Sequence, residues 1–227
     1  IILVVDDEPQ IRKPFFTELL AFIALKEHGA TPDEVATAFA HKPSTSRNSV
    51  KILRDWLGVN PRTGEDHLPD ANKSRAAKTR GAAVYQVDDL LVDVDLFRRL
   101  RARGEARGSK GIPDLMTALE LVLGRPFDQL RENGWSWLAD MNIDHHMVCA
   151  IVDVAHLVTT HFLKAGDLRK ARATVEKALV AAPYDTIPKL DLAAVTHAEG
   201  HTEEARRIVY EEVCDVFDET GLPEDIS

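Results

Sequence analysis

Three basic residues in the stretch 43–58 are spaced so that they could contact nucleic acid together. Arg47, Lys51 and Arg54 follow at intervals of four and three residues, so on a helix they share one face. The opposite side carries the apolar residues Val50, Leu53, Trp56 and Leu57. A helix that is basic on one side can lie in the major groove of DNA while its apolar side is held in a core. A charged helix exposed only to solvent shows the same pattern, which is the alternative interpretation.

The residues around this stretch predict where the helix begins and ends. Pro43 precedes Ser44 and Ser46, and either serine could serve as the N-cap. Gly58 is the residue type that most often ends a helix. We therefore predict a helix over residues 44–57.

The charge of the chain is unevenly distributed along its 227 residues. Residues 41–80 contain nine Lys or Arg and four Asp or Glu, a local charge of +5, whereas the whole chain carries −9. The remaining residues must therefore carry −14. A basic segment on an otherwise acidic protein is typical of a segment that contacts DNA. The acidic remainder also fits a second interpretation, a protein-interaction scaffold.

Two further helices are predicted before the basic one. Residues 14–28 have helical length and an apolar face, and Gly29 ends them. Thr31, followed by Pro32 and by Glu34 three residues on, forms a capping-box sequence that starts a short helix. A long helix, a short capped helix and a basic third helix are the order of a helix-turn-helix, with the third helix in the recognition role.

Two short strand-like segments, residues 67–71 and 82–87, follow the basic helix. The loop between them carries four basic residues, Lys73, Arg75, Lys78 and Arg80. A small β-hairpin with a basic tip is the wing of a winged helix, and its tip would lie against DNA phosphates. A surface loop without regular structure is the alternative for the same residues.

From residue 93 onward the pattern is almost entirely helical, and it contains an internal repeat. Residues 164–180 align with residues 198–214 at an offset of 34, which pairs Gly166 with Gly200 and Ala171 with Ala205. A 34-residue period with Gly at the turn and a small residue five positions later is typical of tetratricopeptide repeats. Such repeats stack into a curved surface that commonly binds another protein or a peptide.

The two halves together resemble the bacterial transcriptional activator domain family, the SARP-type regulators. The resemblance runs from about residue 13 to about residue 214. It is carried by FTELLAFIAL, STSRNSVKILRDWLG, Tyr85 with VDVDLF, and ALELVLGRPF followed by WSWL. The fold that this resemblance implies is mainly α. A winged helix-turn-helix domain with a small β-hairpin wing would span residues 1–92, and an all-α tetratricopeptide-like domain would span residues 93–227.

The family resemblance also implies a function, sequence-specific binding of duplex DNA and recruitment of RNA polymerase. It places four residues in the groove, Arg47, Asn48, Lys51 and Arg54. It places four on the wing, Lys73, Arg75, Lys78 and Arg80. The helical domain would supply contacts for a homodimer, for RNA polymerase or for other protein partners.

Within that family, the chain is most similar to actinobacterial, LysM-associated members, in which this module ends a longer and often membrane-attached chain. A sequence that starts without Met fits such a chain. In such a chain the alternative function is a repeat-based protein scaffold, in which the winged helix is a protein-docking module.

A second group of residues has metal-binding chemistry. His145, Cys149, Asp153 and His156 are spaced so that they share one helix face, and all three residue types can bind Zn²⁺. One straight helix spreads the four over about 16 Å, which is too far for a single ion. These residues could instead form a helix-packing face with hydrogen-bonded histidines. The alternative is that two of them bind a metal ion together with ligands from another helix.

The opening ILVVDDEPQI resembles the start of a response-regulator receiver, in which paired acids hold Mg²⁺ beside a phosphorylated Asp. Residues 1–5 would be its first strand. The continuation departs from that family, because the nearest acceptor candidate, Asp55, lies inside the predicted basic helix. The sequence shows no nucleophile motif and no Gly-rich phosphate loop, so we expect neither an enzyme nor a cofactor.

Cysteine content and hydropathy indicate the compartment. Cys149 and Cys214 have no metal-type spacing, which fits a reducing environment. No apolar run reaches about 18 residues and no signal peptide is recognisable. We therefore expect a cytoplasmic segment that makes no membrane contact of its own.

Overall fold

The computed structural model describes residues 13–128, 130 and 134–214. Within these ranges the chain is mainly helical, which confirms the predicted class. Extended pairing there is limited to two isolated antiparallel bridges, Ala30 with Tyr85 and Val59 with Asp66, and no β-strand is formed. The predicted strand over residues 1–5 and the receiver-like opening lie outside the described residues.

The helices form two compact units. The described part of the first unit is residues 13–93 with residues 130 and 134–142, and that of the second is residues 94–128 with residues 143–214. The break near residue 93 falls beside the predicted domain boundary. The sequence places residues 134–142 in the second domain, whereas the structure packs them into the first unit.

The first unit contains five of the α-helices that lie in the described ranges. These are α1 (Lys13–Leu25), α2 (Pro32–Ala38), α3 (Pro43–Leu57), α4 (Arg75–Arg80) and, after two helices of the second unit, α7 (Trp137–Met141). The second unit contains α5 (Asp93–Ala106), α6 (Ile112–Glu120), α8 (Ile143–Ala165), α9 (Leu168–Ala181), α10 (Thr186–Ala198) and α11 (Thr202–Val209), which continues as a π-helical turn, Tyr210–Cys214.

Helix α1 is the most deeply buried helix of the first unit. Its core residues include Phe16, Leu19, Leu20, Phe22 and Ile23, each at most 3% exposed. Gly29, four residues beyond α1, has φ +70°, and a Cβ there would lie 2.4 Å from the Tyr85 carbonyl oxygen. That close approach exists because Ala30 and Tyr85 exchange backbone hydrogen bonds, so glycine is required for both its φ and its lack of a side chain.

Helix α2 begins with the capping box that the sequence predicts. Glu34 N–H donates to Thr31 Oγ1 at 3.2 Å, and Thr31 N–H donates to Glu34 Oε2 at 2.7 Å. The helix closes through Ala40, whose φ is +49°, with His41 N–H donating to the Ala36 carbonyl at 2.9 Å. A left-handed residue at this position satisfies a carbonyl at the end of α2 and redirects the chain into α3.

The apolar side of helix α3 packs into the core of the first unit as predicted, but the helix begins at a different residue. Val50 and Leu53 are fully buried, and the Trp56 ring lies 5.9 Å from the Phe16 ring. The N-cap residue is Lys42, with Pro43 at the first helical position and no side-chain hydrogen bond to the cap. The predicted serine cap is therefore wrong, because the proline starts the helix one residue before Ser44.

The predicted β-hairpin wing is not confirmed, because residues 67–87 form no β-strand. Its two arms are still joined by backbone hydrogen bonds, from Val84 N–H to the Ala71 carbonyl and from Asp88 N–H to the His67 carbonyl, both at 2.8 Å. Its basic loop folds instead as α4. Ser74 explains the helix: its hydroxyl accepts a hydrogen bond from Ala77 N–H at 3.0 Å and donates one to the Val84 carbonyl at 2.7 Å. A serine N-cap that is also anchored to the neighbouring segment favours a short helix over a hairpin loop.

The WSWL motif supplies the part of the first unit that comes from later in the chain. Trp135 N–H and the Trp137 indole N–H both donate to Glu18 Oε1 of α1, at 2.5 and 3.2 Å. Glu18 is 1% exposed, and the Trp137 ring packs against Phe22 at 5.2 Å. A buried carboxylate needs such donors, so Glu18 and the two tryptophans depend on each other.

The internal repeat appears in the second unit as two helical hairpins with the same hydrogen bonds at their turns. Asp167 N–H donates to the Phe162 carbonyl at 3.0 Å, and 34 residues later His201 N–H donates to the Thr196 carbonyl at 3.1 Å. The glycine before each donor has positive φ, +73° at Gly166 and +95° at Gly200. The predicted offset therefore corresponds to repeated local geometry, α8 with α9 and α10 with α11.

Helix α8 is long and apolar enough to cross a membrane by length and composition, and no other described helix is. Nine of its residues are buried, including Ile151, Val154 and Val158. A buried core helix of a globular unit satisfies the same criterion.

Candidate nucleic-acid interface

The solvent side of α3 presents three of the four predicted groove residues. Arg47, Asn48 and Lys51 are exposed. In the part of the chain that the structure describes, no carboxylate forms an ion pair with Arg47 or Lys51. Their charges are therefore available to an outside partner.

The fourth predicted groove residue, Arg54, is used differently. Its Nε donates to the Leu68 carbonyl at 2.6 Å and its Nη2 to the Pro69 carbonyl at 3.3 Å. The side chain is only partly exposed. The helical spacing is as predicted, but the guanidinium points to the segment that follows α3. Arg54 thus links α3 to this segment, and its predicted contact with the groove stays a prediction.

Tyr85 connects α3 to the segment that leads away from α4. Burial raises the pKa of its hydroxyl, while the positive charges of Arg47 and Arg54 oppose the rise and Asp70 adds to it. The Tyr85 backbone also pairs with Ala30, so this tyrosine has a fixed position beside the link between α1 and α2.

Helix α4 carries the predicted wing residues. Its buried side consists of Ala76 and Ala77, which pack with Val84. Its solvent side and the preceding turn expose the four basic residues Lys73, Arg75, Lys78 and Arg80. Among the described residues, none forms an ion pair with these four. The helix therefore presents cations from a fixed backbone, which a flexible loop would not do.

Two acidic residues limit the basic surface. Asp55 is exposed and lies one helical turn beyond Lys51 on the same face of α3, so the C-terminal end of that face is less positive. Asp89 accepts hydrogen bonds from Arg62 and from Asn60 Nδ2, the latter at 2.7 Å. The hydrogen bond from Arg62, with that from Asn60, holds the pKa of Asp89 below its usual value. Arg62 is thus neutralised within the unit, which sequence alone does not indicate because the partners are 27 residues apart.

The four residues of the metal hypothesis lie along α8 but turn to different partners. Cys149 Sγ is 3.7 Å from His145 Nε2. Asp153 pairs with Arg101 at 3.1 Å, and His156 Nδ1 is 2.9 Å from Asp191 Oδ1. Within the described ranges, no three His, Cys, Asp or Glu residues form a group that could hold a metal ion.

Glu18 and Arg62 form internal hydrogen bonds that were not predicted from the sequence. A single glutamate inside the apolar stretch FFTELLAFI was the available signal for Glu18, because a buried charge requires a partner. Comparison with known proteins adds no family: no family model matches the chain, and neither a curated protein nor a solved structure shows significant similarity to it.

Proposed function

We propose that this chain is a DNA-binding transcriptional regulator related to the SARP-type family. The observation that carries the proposal is the set of exposed cations without an internal ion pair among the described residues. This set, which we call the basic face, consists of Arg47, Lys51, Lys73, Arg75, Lys78 and Arg80. Arg54 and Arg62, from the same segment, are held by internal partners.

In the proposed complex, α3 lies in the major groove. Arg47 and Asn48 belong to residue types that form bidentate hydrogen bonds with guanine and adenine edges. Lys51, one turn along, would contact a base or a phosphate. Trp56 and the buried side of α3 keep the helix fixed to its core, so little ordering is needed on binding.

Helix α4 takes the place of the hairpin wing in this proposal. Lys73, Arg75, Lys78 and Arg80 would contact backbone phosphates and position the protein without reading sequence. Each phosphate contact releases counterions, so the affinity should fall steeply as salt rises. The proposed fold is accordingly a variant winged helix-turn-helix whose wing contains a short helix.

The second unit is proposed to be a tetratricopeptide-like domain. Its two hairpins share their turn geometry at the 34-residue offset, which supports this assignment. By the family resemblance it would contact RNA polymerase or a second copy of the chain. This regulatory role would require the segment to be in the cytoplasm, with the chromosome.

The test is selection of bound sequences from random duplex DNA, followed by titration of the selected duplex. The double variant Arg47→Ala/Lys51→Ala should weaken binding by about 2–4 kcal/mol and relax the selected sequence. The matched control is Arg99→Ala/Arg169→Ala, which removes two exposed arginines from the second unit. No enriched sequence and no binding at low salt would contradict the proposal, as would equal losses in both double variants.

A second function, a protein-interaction scaffold, has its own supporting observation. The second unit exposes large apolar side chains on and beside its repeated hairpins, among them Leu157, Tyr184, Ile187 and Leu190. Exposed apolar residues on a repeat surface are typical of protein-binding sites. Capture of one defined protein by the chain, lost in Leu157→Ser/Leu190→Ser and retained in Arg47→Ala/Lys51→Ala, would favour this function.

A further inference from the structure

His145 and Cys149 are two metal-ligating side chains whose distance fits a shared ion. They lie one helical turn apart on α8, and both are exposed. Tetrahedral zinc has Zn–S and Zn–N bonds of about 2.3 and 2.0–2.1 Å, so a sulfur and a nitrogen on one ion lie about 3.6 Å apart. The distance from Cys149 Sγ to His145 Nε2 is 3.7 Å. The pair therefore already has the separation that a bound ion would require.

The other possible metal ligands on this face of α8 are bound to other residues, which leaves a pair. Asp153, the next residue on this face, is engaged by Arg101, which also binds Glu105. His156 is engaged by Asp191 on α10. His146, although adjacent in sequence, faces a shallow groove that is also lined by Arg98 and Met147. Among the described residues, His145 and Cys149 remain as the two donors on this face without an ion pair, and the His145 ring also lies 6.4 Å from the His146 ring.

We propose that His145 and Cys149 form a bidentate site for a thiolate-preferring divalent metal of the Zn²⁺ class. An imidazole nitrogen and a thiolate sulfur are both strong ligands for this class, whereas Mg²⁺ and Ca²⁺ prefer oxygen. On binding, the ion displaces the thiol proton of Cys149, and that proton is released to solvent. Water fills the remaining coordination positions, because the pair faces solvent.

Helix α8 makes the site more than a chance contact of two side chains. Its buried side, including Met147 and Ile151, fixes the backbone on which the two donors stand. A rigid helix with donors at i and i+4 holds both within reach of one ion, so the second bond costs little ordering. The site is independent of the basic face and of the proposed DNA-binding function.

The test is a Co²⁺ titration of the reduced, full 227-residue chain without an affinity tag. Thiolate bound to Co²⁺ gives a charge-transfer absorption that histidine or carboxylate alone does not give. We expect this absorption to saturate at one ion per chain and to disappear in Cys149→Ser. The matched control Cys214→Ser removes the other exposed cysteine and should leave the absorption unchanged.

Substitution of His145 tests whether the ion is bound by both side chains or by the Cys149 thiolate alone. Even outer-shell partners contribute about 10- to 100-fold to metal affinity, so His145→Ala should weaken Co²⁺ binding by at least about tenfold. His146→Ala is the matched control and should leave the affinity unchanged. Equal Co²⁺ affinity in wild type and His145→Ala would overturn the proposal, as would absorption that persists in Cys149→Ser.

The melting temperature gives a second measurement of metal binding that does not depend on light absorption by the bound ion. An ion that binds the folded chain better than the unfolded chain raises the melting temperature with its concentration. Zn²⁺ should therefore raise the melting temperature of wild type and Cys214→Ser more than that of Cys149→Ser. Equal shifts in all three proteins would show that Zn²⁺ binds elsewhere and would contradict the proposal.

Discussion

In the second unit, Arg101, Arg103, Arg107 and Arg172 each bind a carboxylate of the same unit, whereas in the first unit Arg47, Arg75 and Arg80 bind none among the described residues. Both sets include exposed side chains, since Arg103 and Arg107 are more than half exposed, so exposure alone does not account for the difference. What differs is the placement of acids: Asp114 and Glu199 lie directly opposite arginines of neighbouring elements. A paired arginine stabilises its own fold, and an arginine without a pair has its charge available for another molecule.

The largest expected effect tests the paired side of this comparison. Arg172 binds Glu199 through two nitrogens and also donates to Thr196 Oγ1 at 3.1 Å, which joins α9 to α10. Arg172→Ala should lower the free energy of unfolding by about 2 kcal/mol, because it removes charge-assisted hydrogen bonds from a partly buried carboxylate. Urea titration followed by circular dichroism measures this change.

The repeat supplies the control for Arg172. Arg206, its counterpart 34 residues later, binds Glu203 of its own helix at a more exposed position. Arg206→Ala should cost only about 0.3–0.5 kcal/mol, as for other exposed pairs within a helix. If both variants cost the same, the pairing of Arg172 is not what joins the two hairpins.

The next effect concerns a paired arginine inside the basic segment of the first unit. Arg54 donates to the Leu68 and Pro69 carbonyls, and Arg54→Ala should lower the free energy of unfolding by about 1.5 kcal/mol. Arg47→Ala, on the same helix face but without such acceptors, should stay within about 0.5 kcal/mol of wild type. Thermal melts of the two variants measure this difference. Equal destabilisation would mean that the hydrogen bonds of Arg54 do not distinguish its structural role from that of Arg47.

A smaller effect follows from pH in the second unit. Hydrogen bonds from Arg103, joined by those from Arg107, hold the pKa of Asp114 below its usual value. A carboxyl with a lowered folded-state pKa contributes stability above its unfolded pKa and loses it as the pH falls through the folded value. Asp114→Asn should therefore be less stable than wild type at pH 7, with the difference closing as the pH falls through the lowered pKa of Asp114.

Asp191 should respond to pH in the opposite direction. Burial raises its pKa, although the hydrogen bond from His156 opposes the rise. A raised carboxyl pKa means that this group favours the folded state most below its unfolded pKa and less as the pH rises through the folded value. The free energy of unfolding of Asp191→Asn and of Asp114→Asn should be measured against wild type over a range of pH. The two differences from wild type should change with pH in opposite directions, and changes in the same direction would contradict these assignments.

Much of the fold was predictable from local sequence, because local chemistry determines it. Thr31 with Glu34 predicts a helix start, and Gly166 with Gly200 predicts two equivalent turns, since each signal acts within about four residues. The contacts of Arg54 and Glu18 were not predictable in this way. Arg54 has the correct helical phase for the basic face, but a tertiary acceptor, the Leu68 carbonyl, binds its guanidinium instead.

The wing shows why the rest of the candidate site was harder to predict. Residues 82–87 have the composition of a strand, and Tyr85 forms a bridge with Ala30. The same segment also contacts the one before the basic loop, because Val84 N–H donates to the Ala71 carbonyl and Asp88 N–H donates to the His67 carbonyl, both at 2.8 Å. These hydrogen bonds do not extend into a β-ladder, and Ser74 caps a helix between the two segments. Composition indicates the extended segments, but it does not indicate that their pairing stops after isolated hydrogen bonds.

The smallest expected change in stability belongs to α4, and it is the most direct test of the basic face. Lys78→Ala/Arg80→Ala removes two exposed cations without a described partner, so the free energy of unfolding should change by less than about 0.5 kcal/mol. If α4 contacts phosphates, the slope of log affinity against log salt should become shallower by about 1–2, equally for selected and unrelated duplexes. Thr79→Ala, on the same helix, should leave the slope unchanged. A loss confined to the selected duplex would mean that α4 reads bases, and an unchanged slope would limit the DNA contact to α3.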